Sequence, residues 1–307
     1  MKIIVFDLEW NQAANGKKDT VEEIPFEIIE IGAVKLNNRR KIISEYNEVI
    51  KPVIYKELHF IIKKLIHLTK EDMEKGKTFQ EVISSYMDWC GRNYIFATWG
   101  TLDLIELQRN MKYYQWPSIS HKPFPYLDVQ KLFSIQYEDG VKRRSLEYVV
   151  DFLKIEKVKP FHRALSDAYY TAKVLEKIDY RLMKKYFSYD LYEVPKNKKD
   201  QIKQIYPTYY KFISMEYENK TIALEDEEIV NNDCYLCHRR TKEEISWFST
   251  NGKHYYHIAV CAKHGYIKSK IRIKKTNNKR IFIVKTMKKV SNKVVEEIRE
   301  RNNKVES

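Results

Sequence analysis

The spacing of hydrophobic positions changes along the chain. The first third begins with short apolar, β-branched runs, which predict three successive strands at Ile3–Phe6, Phe26–Asn37 and Lys41–Pro52. The turn-forming pair Asn37-Asn38 predicts a hairpin between the second and third strands. The early strands are therefore expected to be antiparallel.

Helical spacing then takes over and alternates with further strands. Thr78 with Glu81 forms a capping box, a typical helix start. Strands followed by alternating helices and strands predict an α/β fold, a mixed sheet with helices packed on it. The predicted helices are Glu57–Ile66, a short one from Thr69, Thr78–Cys90, Thr101–Tyr114, Ser145–Leu153 and Ala164–Ile178; the predicted strands are Tyr94–Trp99 and a short one in Tyr126–Phe133 that runs into a helix.

The pattern fades past Tyr180, and the polar stretch Tyr189–Pro207 indicates a domain boundary. A length of 307 residues suits about two domains. We expect a first domain over residues 1–185, a connecting segment over 186–232 and a small α+β domain over 233–307.

Charge adds a candidate partner. The net charge is +14, and residues from Asp190 onward hold 25 basic and 16 acidic side chains, which is most of the excess. A basic protein is expected to meet polyanions, of which nucleic acid is the commonest, although lysines also simply solubilise a surface. No apolar run of about 18 residues and no signal-like segment occur, so we expect a cytoplasmic protein without membrane association.

The first strand ends in two acids, Asp7 and Glu9, separated by Leu8. Residues i and i+2 of a strand point to the same side, so both carboxylates would project together. Their repulsion is costly unless a cation lies between them, and a divalent metal ion is the usual solution. The alternative is a strand end with two solvated acids.

Two more acids and a histidine occupy helix starts. Asp103 follows the strand of YIFATW, and Asp167 comes five residues after His162 in HRALSDA. Acids are favoured at helix N-termini by the helix dipole, so each also has a purely structural explanation. If the helix begins at Ala164, His162 and Asp167 can face one cleft.

Together these segments resemble a known family. FDLEW, WGTLD after a strand, and HRALSDA resemble the three motifs of the DEDDh branch of the DnaQ-like 3′–5′ exonucleases, over Met1–Ile178. IPFEIIEIGAV is most similar to the subgroup of histone-mRNA and RNAi-type 3′ exonucleases and their bacterial relatives. The second motif departs from the family, because Trp99 and Gly100 stand where an Asn is commoner. The resemblance implies an RNase H-like, mixed five-stranded sheet with flanking helices.

The resemblance also implies the site chemistry. Two Mg²⁺ or Mn²⁺ ions would be held by Asp7, Glu9, Asp103 and Asp167, with Asp7 touching both, and His162 would be the general base. Two such ions can activate water and stabilise a leaving 3′ oxygen, and an imidazole with its ordinary pKa of about 6.5 suits a base near neutral pH. Leu8 and Trp10 are candidates for holding the terminal nucleotide, although Trp10 is as well explained by packing. Glu27, Glu30 and Asp128 are interpreted as structural.

The last third carries a second candidate metal site. Cys234, Cys237, Cys261 and His264 form C-x2-C…C-x2-H, a donor set typical of tetrahedral Zn²⁺. Four protein ligands fill the coordination sphere, so the zinc would be structural. His238, His254 and His257 are nearby alternatives to His264, and three unrelated buried thiols are the other explanation.

A basic tract follows. Lys268 to Lys289 contains ten Lys and Arg residues and no acid. Alternating β-formers and cations predict a hairpin around Asn277-Asn278 with one cationic face, either a nucleic-acid-binding appendage or a solvated surface. Asn292–Asn303 predicts a terminal helix.

Three functions remain open from the sequence: a metal-dependent 3′–5′ exonuclease acting on RNA, a DNA exonuclease of repair or proofreading, and an inactive module that binds nucleic-acid 3′ ends. The motif residues are all present, which favours an enzyme. RNA is preferred over DNA because of the subgroup resemblance.

Overall fold

The computed structural model describes residues 1–66, 68–276 and 278–306. The chain divides into two units, one over Met1–Leu191 and one from Tyr192 onward. The segment 186–232, which we expected to be a connection, is therefore mostly part of the second unit. No helix among the described residues is both long and apolar enough to cross a membrane.

The first unit holds a six-stranded sheet with helices packed against it. The predicted helices all form, and the capping box is present, since Thr78 N donates to Glu81 Oε2 at 2.8 Å and Glu81 N donates to Thr78 Oγ1 at 3.3 Å. The strands are β1 Lys2–Asn11, β2 Glu27–Leu36, β3 Ile42–Val49, β4 Tyr94–Thr98, β5 Pro125–Asp128 and β6 Ser188–Tyr189. The helices are α1 Phe60–Leu65, α2 Lys70–Glu74, α3 Phe79–Cys90, α4 Leu102–Tyr113, α5 Val129–Tyr137, α6 Leu146–Phe152, α7 Ala164–Lys177 and α8 Tyr180–Lys185.

The sheet order is β3-β2-β1-β4-β5-β6. β1, β2 and β3 pair antiparallel, as the sequence predicted, whereas β4 lies parallel to β1 and β5 parallel to β4. The mixed α/β architecture is confirmed. The sheet has one strand more than the five expected, because the two-residue β6 adds antiparallel to β5 at the edge, and two residues are too few to show a period.

The core explains the central place of β1. This strand is paired on both sides, and Ile3 to Phe6 are at most 5% exposed. A strand covered on both faces is a continuous apolar run rather than an alternating one. Phe6 packs edge-on against Phe96 of β4, with ring centroids 5.3 Å apart.

The second unit is an antiparallel sheet of six strands in the order β7-β8-β12-β11-β10-β9. Two of its strands come from the segment expected to be a connection, where a cluster of lysines masks the apolar pattern of the following strands. The predicted basic hairpin corresponds to β11 and β12, which pair antiparallel, although Asn277 of its turn lies outside the described residues. The elements are β7 Ile202–Tyr206, β8 Tyr209–Tyr217, α9 Lys220–Glu225, α10 Glu227–Val230, β9 Lys242–Ser249, β10 His254–Cys261, β11 Gly265–Lys275, β12 Ile281–Lys289 and α11 Asn292–Glu306.

Candidate active site

The acidic pair lies at the end of β1, as predicted. Asp7 and Glu9 are half-buried, while Leu8 between them is 4% exposed and packs in the hydrophobic core on the opposite face. The strand alternation thus separates two carboxylates from one apolar side chain. The side chain of Leu8 is thus covered by the core, and its contact with a nucleotide stays a prediction.

Asp167 reaches the same place from α7. Carboxylate oxygens of Asp7, Glu9 and Asp167 lie within 4.8 Å of one another. Asp167 is in the first turn of its helix, where the helix dipole favours a negative charge. Residues separated by about 160 positions in the sequence therefore converge on one cluster of acceptor oxygens. We call Asp7, Glu9 and Asp167 the three-carboxylate cluster.

Asp103 lies beside this cluster rather than within it. Its carboxylate is 5% exposed, and its Oδ1 accepts a hydrogen bond from the backbone N–H of Leu8 at 3.3 Å. That bond joins the first turn of α4 to β1 between the two acids. Asp103 is therefore held in position at the acidic strand end.

His162 precedes α7 and is exposed. Its φ is +63°, in the left-handed region, and its backbone N–H donates to Asp167 Oδ2 at 3.3 Å. This backbone conformation brings the main chain of His162 to the carboxylate of Asp167. The predicted neighbourhood of His162 and Asp167 is present in the structure.

Burial raises the pKa of every carboxyl group in the site. The pKa of Asp7 lies well above its ordinary value because of burial and then repulsion from Asp103. Burial, followed by repulsion from Asp167, raises the pKa of Glu9 to about 8. Burial raises the pKa of Asp103 to about 7 and that of Asp167 to about 6. Without a bound cation, therefore, the four carboxyl groups do not all ionise near neutral pH.

The donor set fits a divalent cation. Oδ1 of Asp167 is buried, and no hydrogen-bond partner for it lies among the described residues. Hard carboxylate oxygens are the ligands preferred by Mg²⁺ and Mn²⁺. The residues that would hold such ions are Asp7, Glu9 and Asp167, with Asp103 beside them.

Trp10 is half-buried and contacts the core cluster, with its ring 5.8 Å from that of Phe26. Part of its surface is therefore used in packing and part is open. Contact with a nucleotide and packing on the sheet, the two roles considered from the sequence, are both compatible with this position.

An ion pair that the sequence interpretation did not single out fixes the start of α7. Nε and Nη2 of Arg163 contact the carboxylate of Glu30 on β2, at 3.1 and 2.7 Å, and the same carboxylate accepts from Ala164 N at 3.2 Å. Glu30 is completely buried, as a structural role requires. The sequence does contain a signal for this pair: Glu30 is an acid inside an apolar strand, and a buried acid needs a partner.

The two other acids interpreted as structural have structural partners. Glu27 accepts from the backbone N–H groups of Val53, Ile54 and Tyr55 and from the Tyr114 hydroxyl. Asp128 caps α5 by accepting from Lys131 N at 2.9 Å. Neither belongs to the three-carboxylate cluster.

A family comparison matches this unit. The model of the RNase T family, described as Exonuclease, covers residues 4–175, more than half of the chain. This chain belongs to the exonuclease family. The match lies within its first unit, which we call the exonuclease domain.

The curated relatives are much longer proteins. The exonuclease domain is 27% identical over 181 residues to the PolC-type DNA polymerase III of Clostridium perfringens (strain 13 / Type A), which is 59% of this chain and 11% of that protein. It is 25% identical over 177 residues to the PolC-type polymerase of Caldanaerobacter subterraneus subsp. tengcongensis, 58% of this chain and again 11% of the relative. The chain therefore spans about a ninth of the length of these relatives.

Among solved structures, the nuclease domain of 3′hExo, a DEDDh family member bound to rAMP, is similar to this chain. The TM-score is 0.50 and the identity 19%, over 57% of this chain and 90% of that one. At this identity the likeness shows the fold of the exonuclease domain.

The cysteine and histidine cluster lies in the second unit, beyond the exonuclease match. One donor atom from each of Cys234, Cys237, Cys261 and His264 lies within 4.8 Å of the others. Cys237 Sγ is 3.6 Å from Cys261 Sγ, and His264 Nδ1 is 3.4 Å from Cys234 Sγ and 3.6 Å from Cys261 Sγ. Ligands around zinc, with Zn–S near 2.3 Å and Zn–N near 2.1 Å, are about 3.6–3.8 Å apart.

The two ligand pairs, Cys234 with Cys237 and Cys261 with His264, are each followed by a residue with the same unusual backbone conformation. The residue after each ligand pair, His238 and Gly265, has a positive φ, of +57° and +75°. Although burial works against ionisation, the backbone N–H groups of Lys263 and His264 lower the pKa of the Cys261 thiol to about 6. Two matching turns and a thiol biased toward thiolate fit a tetrahedral zinc site, with His264 rather than His254 or His257 as the fourth donor.

Proposed function

We propose that this protein removes nucleotides one at a time from the 3′ end of RNA by metal-dependent hydrolysis. The observation that carries the proposal is the three-carboxylate cluster, Asp7, Glu9 and Asp167, with oxygens within 4.8 Å of one another. Its fit to a divalent cation is supported by the buried Asp167 Oδ1 that has no partner among the described residues.

Each residue has a role in this proposal. Asp7, Glu9 and Asp167 would hold the ions, and Asp103 would support them from α4. His162 takes the proton from the attacking water, and Trp10 contacts the terminal nucleotide. Two divalent ions, when bound, supply activation of that water and stabilisation of the leaving 3′ oxygen.

The preference for RNA is supported by the resemblance of IPFEIIEIGAV to the histone-mRNA and RNAi-type subgroup. A second candidate, a DNA exonuclease of repair or proofreading, is favoured by the similarity to PolC-type DNA polymerases. Both candidates use the same site, so they differ only in the sugar that the cleft accepts.

A third candidate, an inactive module that grips 3′ ends, is opposed by the site itself. Dead nucleases need not retain a costly cluster of buried acids with raised pKa values. Asp7, Glu9, Asp103, His162 and Asp167 are all present.

The test is digestion of 5′-labelled single-stranded RNA and DNA of matched sequence with Mg²⁺ or Mn²⁺. We expect a ladder that shortens stepwise from the 3′ end, faster on RNA, and abolished by Asp7→Asn. Glu45→Gln, which neutralises an exposed acid of β3, is the matched control and should remain active. Faster digestion of DNA would establish the second candidate, and tight binding without digestion the third.

We also propose that Cys234, Cys237, Cys261 and His264 bind one structural Zn²⁺. The support is the match between their separations and those of tetrahedral ligands. Four protein donors leave no open position, so this zinc would stabilise the second unit and take no part in hydrolysis.

A further inference from the structure

One strand of the second unit presents a row of cations. Along β11 the inward residues Ile267, Ser269 and Ile271 are buried, and the residues between them point to the other face. Those outward residues are cations, and β12 adds another directly opposite the first. We call this surface the basic face: Lys268, Lys270, Arg272 and Lys274 of β11, and Lys288 of β12.

The geometry of the basic face is linear. With a rise of about 3.4 Å per residue, the row from Lys268 to Lys274 extends over about 20 Å. Lys288 pairs with Lys268 across the strands. An extended polyanion matches such a row better than a single phosphate group does.

None of the cations of the basic face forms an ion pair within the described residues, although Glu297 of α11 lies near enough to Lys268 to act against the lowering of its pKa. The ion pairs of the second unit involve other residues. By contrast, Lys196, Lys198 and Lys203 elsewhere in this unit each contact a carboxylate, of Glu216, Asp226 and Glu228 respectively. The basic face therefore differs from the rest of this unit in holding several neighbouring cations without a close ion pair.

This arrangement costs stability. Like charges directly opposite one another in a sheet, such as Lys268 and Lys288, are destabilising. Burial and then repulsion from Lys288 lower the pKa of Lys268, and burial and then Arg272 lower that of Lys274. Lys268 and Lys270 also lie over the ring of Tyr256, 5.6 and 5.2 Å from its centroid, which holds their stems on the sheet. Repulsion among neighbouring cations lowers stability, and a feature that lowers stability locally is expected to serve a function.

We propose that the basic face binds the phosphate backbone of single-stranded nucleic acid and thereby holds long substrates on the enzyme. The proposal rests on the proposed function for the identity of the polyanion. Binding through phosphates is independent of sequence and is shared by RNA and DNA.

The surface does not suit a membrane. Among the described residues of β10, β11 and β12, none of the large apolar side chains is exposed. Surface binding to a bilayer uses apolar side chains inserted beside the cations. Anionic lipid would therefore have only the charges to hold.

The experiment measures binding by the full chain carrying Asp7→Asn, which prevents digestion. The test variant adds Arg272→Gln, Lys274→Gln and Lys288→Gln, three exposed cations of the basic face. The control adds Lys196→Gln, Lys198→Gln and Lys203→Gln, which remove the same charge from the same unit. Fluorescence anisotropy with single-stranded RNA and DNA is recorded over a range of salt concentrations, and zinc content and melting temperature verify folding.

We expect the test variant to bind at least about tenfold more weakly at low salt. Its slope of log K against log salt should fall by about 2, since each lost phosphate contact contributes about 0.7 for single strands; the control should keep both values. An unchanged slope in the test variant overturns the proposal. The proposal is also overturned if the test variant still binds RNA and DNA normally but no longer binds vesicles of anionic phosphatidylserine. That result would identify a membrane surface.

A separate measurement distinguishes this proposal from the catalytic one. With Asp7 intact, digestion of an oligonucleotide of a few residues reports on the active site alone. The triple variant should digest it normally and lose only its advantage on long substrates, seen as a higher KM. If no substrate is digested by any form, the proposed function fails, while the anisotropy result still decides the basic face.

Discussion

Gly32 of β2 and Leu165 of α7 are in backbone contact. A β-carbon at Gly32 would lie 1.9 Å from the Leu165 nitrogen and 2.1 Å from the Ala164 carbonyl carbon. Gly32 pairs with Asp7 across β1 and β2, so this contact sets the distance between Asp7 and Asp167. Only glycine allows the helix to approach the strand so closely.

Gly32→Ala should therefore displace α7 and open the three-carboxylate cluster. A shift of about 1 Å can cost about 10²-fold in rate, so we expect kcat to fall at least tenfold along with a lower melting temperature. Gly252→Ala is the control, because Gly252 has a φ of +65° with open space around it in the second unit, and its strain should lower stability without changing kcat. Normal kcat in Gly32→Ala would show that the contact does not position the site.

The raised pKa values predict how the metal-free protein responds to pH. Unfolded carboxyl groups titrate near pH 4, whereas the pKa values of Glu9, Asp103 and Asp167 are about 8, 7 and 6 in the fold. Between these values the folded state holds protons that the unfolded state has released. Stability must then fall as pH rises from about 5 to 8.

Asp7→Asn should remove part of this dependence. In metal-free buffer, its melting temperature should exceed that of the wild type by an amount that grows as pH rises from 5 to 8, because the amide neither repels the neighbouring acids nor has to retain a proton, and the difference should shrink toward lower pH. Mg²⁺ should raise the melting temperature of the wild type more than that of the variant. Parallel melting curves for both proteins across this pH range would contradict the assignment of a strained acidic site.

His162 can be tested without disturbing its backbone. Its φ of +63° is tolerated by Asn much better than by Ala, so His162→Asn removes the imidazole while keeping the turn that binds Asp167. We expect kcat to fall by about 10²- to 10⁴-fold, the range for a general base, while stabilisation by Mg²⁺ is retained. Full activity in His162→Asn would exclude the base role.

Arg163 is predicted to matter through Glu30. Arg163→Leu leaves the completely buried Glu30 carboxylate with its charge uncompensated, which should cost about 3 kcal/mol of unfolding free energy. Adding Glu30→Gln removes that charge and should restore most of the loss, measured by urea denaturation. Equal stability of the single and double variants would mean that the ion pair does not hold the start of α7.

Zinc is predicted to be present at one ion per chain. Cys261→Ser should lose the metal and destabilise the second unit, whereas Cys90→Ser, which alters a buried thiol of α3 outside the cluster, should retain it. Elemental analysis of the purified variants makes the measurement, with thiol modification releasing zinc from the wild type. A wild-type protein without zinc would remove the structural role of the cluster.

The spacing of apolar residues was enough to predict most elements of the exonuclease domain, and its acids could be named from the motifs. Period-2 and helical spacing report which faces are buried, so the early antiparallel strands, the capping box at Thr78 and the strand-borne pair of Asp7 and Glu9 were all predictable. The clustering of Cys234, Cys237, Cys261 and His264 was predictable for a similar reason, since the spacing within each pair is local. The strands β7 and β8 were missed because flanking lysines hide a short alternating pattern, and β6 because two residues carry no period.

Only the tertiary structure decided how distant residues meet. The approach of α7 to β2 depends on Gly32, and the orientation of its first turn depends on the pairing of Arg163 with Glu30, neither of which is a contact that spacing can report. The burial of the Leu8 side chain likewise depends on which face of β1 the core covers. Local pattern specifies which side chains share a face, whereas packing of one element on another specifies which carboxylates share a cleft.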